Sequence, residues 1–156
     1  SISKKFTNLK KNITNLILEL ATEKENNGYL FNYNGLTLLQ SCTSRDKELV
    51  MGKAVSIVIQ KSIISSILPS VEEQDTTEGF FKWFGLRDVI TKEPRVVLLN
   101  NLMFLDLVNK GVEFVEKISL ITAKTLAELE KLKTIEELEH FNYEVYFSIF
   151  LKEQGV

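Results

Sequence analysis

Between Gly79 and Gly85 the chain places Phe80, Phe81, Trp83 and Phe84, four aromatic residues within five positions, including the only tryptophan among 156 residues. Each such side chain carries roughly 150–250 Å² of surface that a fold must cover. The cover is the protein's own core, a partner or a membrane surface, and every other element has to be compatible with it. Drawn as a short helix at about 100° per residue, the four rings together with Leu86 and Ile90 spread over more than half of the circle. A single docking stripe is only somewhat wider than about 100°. A helix here therefore meets two surfaces: either it is buried on two sides within the domain, or one side is left for a partner, with Lys82 and Gly85 in the solvent sector. Phe80, Phe81, Trp83 and Phe84, with Arg87 beside them, are the candidate partner-binding residues.

The flanking sequence predicts a mostly α-helical setting. Phe6, Leu9, Ile13, Leu16 and Leu20 recur at spacings of 3, 4, 3 and 4, the seam of an amphipathic helix over 2–25. Asn26-Asn27-Gly28 ends it. Tyr29–Tyr33 and Leu36–Gln40 flank Asn34-Gly35, the pair suited to a type I′ turn, so a β-hairpin is expected near 29–40. Thr43, Ser44 and Asp46 are placed to cap a helix running to about Leu68. An acidic connection over 69–78 reads as a mobile loop.

Glu93-Pro94 ends the aromatic segment, because the residue before proline is driven out of the helical region. The run 96–108 is apolar on nearly every side and reads as a central buried helix starting near Pro94; a buried strand near 95–99 is the alternative. Asn109-Lys110-Gly111 suggests a kink or break before a further helix at 112–121. Thr125-Leu126-Ala127-Glu128 and Thr134-Ile135-Glu136-Glu137 both have capping-box form. They predict two helix starts, the second helix reaching about Lys152.

Few residues here suit catalysis. His140 is the only histidine and Cys42 the only cysteine. No spacing matches a zinc, EF-hand or phosphate-loop signature, and Gly52-Lys53-Ala54 is a chance dipeptide inside a helix. A Cys42–His140 dyad has no local signature around the cysteine. No catalytic, cofactor-binding or metal-binding residue is assigned, no cofactor is expected, and a non-enzymatic role is favoured. The absence of a cysteine pair and of a leader sequence favours an intracellular, cytoplasmic location.

Charge narrows the partners. The net charge of −2 gives no reason to expect nucleic acid. Residues 1–62 carry nine basic against five acidic side chains, and 63–156 carry ten against sixteen. Lys4, Lys5, Lys10 and Lys11 form a basic start to the first helix, a secondary interface able to meet acidic groups or an anionic membrane surface.

The expectation is one compact domain over 1–156, a bundle of about six or seven helices around a central apolar helix, with one small hairpin and an α+β alternative. Its expected function is that of a protein-protein interaction module, such as an adaptor, inhibitor or assembly subunit, with homo-oligomer formation open. Peripheral membrane or apolar-ligand binding through the same aromatics and the basic helix is the alternative, and an enzyme of unrecognised type the third.

Overall fold

The computed structural model describes residues 1–67 and 79–156; the acidic loop expected at 69–78 lies outside the described residues. The protein is mostly helical with small antiparallel sheets. In chain order the elements are α1 (Ile2–Asn27), β1 (Tyr29–Tyr33), β2 (Leu36–Gln40), α2 (Ser44–Ile67), β3 (Phe81–Trp83), β4 (Leu86–Arg87), β5 (Val97–Leu99), α3 (Asn101–Glu130), α4 (Ile135–Glu139) and α5 (Tyr143–Glu153). Five helices among the described residues replace the expected six or seven. Two compact units are distinguished: Ser1–Glu25 with Glu113–Val156, and the intervening Asn26–Val112.

In the first unit, α1 buries Ile13, Ile17 and Ala21, with Phe6 and Leu9 packed against the same core as Leu129 and Leu138. Leu16, a member of the expected 3-4 seam, is exposed instead. Leu16 and Ile17 are both compatible with a 3.6-residue period, and packing selected the four-residue spacing 13-17-21. The second half of α3 belongs to this unit, and the helix runs through Asn109-Lys110-Gly111 without a break. It also runs through Thr125, whose buried hydroxyl donates to the Ile121 carbonyl one turn back instead of capping a new helix. Thr134 does form the capping box. Its side chain accepts from the Glu137 amide at 3.1 Å, and a Glu137 carboxylate oxygen accepts from the Thr134 amide at 3.1 Å. The single long helix expected from Thr134 is two helices, because Asn142 caps α5 by accepting from the Val145 amide.

In the second unit, Gly28 leaves α1 with φ of 85°, and a Cβ there would stand 2.0 Å from the Gln40 carbonyl oxygen. Only glycine meets both demands, a left-handed backbone and contact with β2. The hairpin forms as expected: Asn34 and Gly35 both have positive φ, Tyr33 pairs with Leu36, and the Gly35 amide donates to the Asn32 side chain at 2.8 Å. Thr43 caps α2 through reciprocal bonds with Asp46.

One sheet has the order β1-β2-β4, the other pairs β3 with β5. The strand alternative near 95–99 is therefore the one observed, and the helix expected from Pro94 starts at Asn101. Pro94 instead bridges to Arg87, and Asn100 caps α3 by accepting from the Met103 amide at 2.9 Å. Phe31, Leu38, Trp83, Leu86, Val97, Leu99, Phe104 and Leu107 form this unit's core. α3 buries Phe104 and Leu107 there while Leu102 and Leu105 stay exposed, so its first turns have one core face and are not buried all round.

Candidate functional site

The aromatic segment is a strand, which corrects the helical expectation. Aromatic residues fit a pleated, half-buried surface at least as well as a helix. The partner strand Val97–Leu99 supplies what the local sequence could not: Phe81 pairs with Leu99, Lys82 with Leu98 and Trp83 with Val97. A period of two then sorts the side chains. Phe81 and Trp83 turn inward onto Phe104, with ring centroids 5.7 Å and 5.1 Å apart. Phe81 is half-buried and Trp83 is buried, whereas Phe80 is 61% and Phe84 66% exposed. Of the five candidate partner-binding residues, Phe81 and Trp83 thus belong to the core, and Phe80, Phe84 and Arg87 stand at the surface.

Beside this strand lies a groove of about 830 Å³, walled by the first half of α2 on one side and by the β3–β4 segment and the end of β2 on the other. A hydrogen-bonded pair forms part of its lining. The Trp83 indole Nε1 donates to Gln40 Oε1 at 3.0 Å, and Gln40 Nε2 donates to the Ser41 carbonyl at 2.9 Å. Gln40 is almost wholly buried. Gly85 covers this pair at a distance no side chain permits: a Cβ would stand 2.9 Å from the indole nitrogen and 3.0 Å from Gln40 Oε1.

Arg45, Lys53, Lys82 and Arg87 line the groove with Leu49 and Phe84; Asp46 and Glu48 are its acidic residues. Among the described residues none of the four cations makes an ion pair. Lys53 Nζ lies 4.1 Å above the Phe81 ring, a cation–π contact. Arg87 donates to the Lys92 carbonyl at 3.0 Å. The Asp46 carboxylate accepts from the Thr43 amide and hydroxyl at 3.0 and 2.7 Å, so it is already engaged in the α2 cap.

The connection following β4 is held by Asp88, whose Oδ1 accepts from the amides of Ile90 and Thr91, both at 2.9 Å. Those two amides, Thr91's first, hold the Asp88 carboxyl below the ordinary carboxylate range, and Arg95 at 3.7 Å acts in the same direction. The loop so formed carries Ile90 at its tip, 90% exposed.

Sequence reasoning missed Gln40, Arg45, Leu49 and Lys53. Arg45, Leu49, Lys53 and Ser56 recur at helical spacing on α2, the one signal that could have marked a groove wall; nothing local links them to Phe84. The Lys4, Lys5, Lys10 and Lys11 group is not a uniform basic face. Lys10 is half-buried and bonds Glu130 at 2.8 Å, while Lys4, Lys5 and Lys11 are exposed. Cys42 is buried in the second unit, and His140 lies in the first with Nδ1 2.7 Å from the Glu136 carbonyl oxygen.

Among the described residues no group of three or more metal-ligating side chains is assembled, and no helix is long and apolar enough to cross a membrane. Comparison with known proteins brings no relative to this site: no family model, no curated protein and no solved structure matches the chain.

Proposed function

We propose that the protein is a non-enzymatic interaction module whose contact surface is the outward side of the aromatic strand and the groove beside it. The observation that carries this reading is the exposure of Phe84 and Phe80, 66% and 61%, beside a groove lined by four cations. Exposed aromatics and arginine are enriched where binding energy concentrates, and contiguous exposed apolar surface marks interaction sites more often than chance.

A second surface supports the same role. On α2, Met51, Val55, Ile59 and Ile63 fall four residues apart, and each is more than half exposed. Such a row is the ridge one helix offers to another. The membrane alternative draws on the basic start of α1, which belongs to a different compact unit from the aromatics.

The core residues Phe81 and Trp83 cannot be used to test the proposal, because their loss would damage the fold. Phe80→Ala with Phe84→Ala leaves the core intact. Compared in the native host by quantitative affinity purification, wild type should retain at least one protein that the double variant loses, while both melt alike. Identical retained sets from two equally folded proteins would sink the proposal.

A further inference from the structure

We infer that the groove between α2 and the β3–β4 segment binds a short acidic peptide segment of a partner protein, with an apolar residue seated against Phe84 and Leu49. This inference rests on the interaction role proposed above and names its partner class.

Charge complementarity carries it. Arg45, Lys53, Lys82 and Arg87 line the groove, and Glu48 is the one lining carboxylate not engaged by the α2 cap. Four cations against two lining carboxylates, with no ion pair to any of the four among the described residues, leave a net positive groove that carboxylates from outside would complement. The groove's volume of about 830 Å³ falls within the roughly 300–1,000 Å³ range of sites that hold drug-sized ligands. It therefore takes a few side chains and not a whole domain.

The apolar part of the lining sets the second requirement. Leu49 is about half and Phe84 two-thirds exposed, and both face the groove. A purely ionic ligand would leave them in water, whereas a segment alternating acidic and apolar residues covers both.

A phosphate polymer fits less well. Nucleic-acid binders are commonly basic over the whole domain, with cations in a long stripe. This chain has a net charge of −2 and a pI near 5.6, and its groove cations surround an apolar patch.

The test starts from a phage-displayed library of random peptides, selected on the purified chain at low salt. Recovered sequences are then measured as synthetic peptides by the emission of Trp83, the sole tryptophan and part of the groove wall. Recovered peptides should carry several Asp or Glu residues around an apolar one. Their affinity should fall roughly tenfold in the double variant Arg45→Glu, Lys82→Glu, and further as salt rises toward about 0.5 M. Both substituted residues are exposed and Arg45 lies in the first turn of α2, where an acidic residue is favourable; matching thermal melts verify the fold.

Neutral peptides that need Phe84 but ignore the charge reversal overturn the acidic class and leave the interaction role standing. Peptides indifferent to both Phe84→Ala and the charge reversal overturn both, as does recovery of none. Tighter binding of an oligothymidylate, abolished by the same reversal, assigns the groove to phosphates instead. A wild-type dimer that the reversal dissociates in sedimentation velocity makes a second copy the occupant, and the inference fails.

Discussion

Gly85 illustrates how one residue can hold a surface open. Its missing side chain lets the chain pass over the Trp83–Gln40 pair at about van der Waals contact. Gly85→Ala should therefore overpack the site, costing about 1–3 kcal/mol and shifting Trp83 emission to the red as the indole loses its buried setting; urea denaturation followed by fluorescence reads both. Asp88 makes a prediction in pH. Its folded carboxyl titrates below the unfolded value because the Thr91 and Ile90 amides favour its charged form. Its contribution to stability is thus present above the unfolded value near ~4 and disappears as pH falls through the folded one. Asp88→Asn, compared with wild type by urea denaturation between neutral and acid pH, should flatten that decline. Parallel declines would show that the carboxylate is not stabilised in the fold.

At the scale of elements, the two Thr-x-x-Glu echoes separate local from non-local control. Both sequences can cap a helix, and only Thr134 does, because a helix already passes through Thr125. Thr134→Ala should cost about 1 kcal/mol. Thr125→Val, which keeps the shape and removes only a hydroxyl bonded back into its own helix, should be nearly neutral; thermal melts of the pair decide it, and equal losses would contradict the assignment. Elements whose signal is contained within a few residues were legible in the sequence. Helix α1, the Asn34-Gly35 hairpin and the Thr43–Asp46 cap of α2 all form where local chemistry puts them. The aromatic strand was not legible. Five residues read equally well at a period of two or 3.6, and the strand that decides between them, Val97–Leu99, lies about fourteen residues downstream.

Across the whole molecule, α3 contributes several turns to each compact unit, whereas α1 gives only its last two residues to the second, and Asn109-Lys110-Gly111 lies just before the boundary within α3. Read locally, that tripeptide breaks a helix; in the protein the helix continues through it. Amide hydrogen exchange checks this directly. The amides of residues 109–111 should exchange within about tenfold of those in neighbouring turns, and fast exchange confined to them would establish a break. By itself the sequence determined the helical majority, the hairpin and the caps at Thr43 and Thr134, because capping and turn chemistry act within a few bonds. Which way each aromatic faces was decided only by tertiary structure. Pairing with β5 turned a ring of four aromatics into an inner pair packed on Phe104 and an outer pair left exposed, and the groove beside them exists only because the fold brings α2, β2 and the β3–β4 segment together from distant parts of the chain.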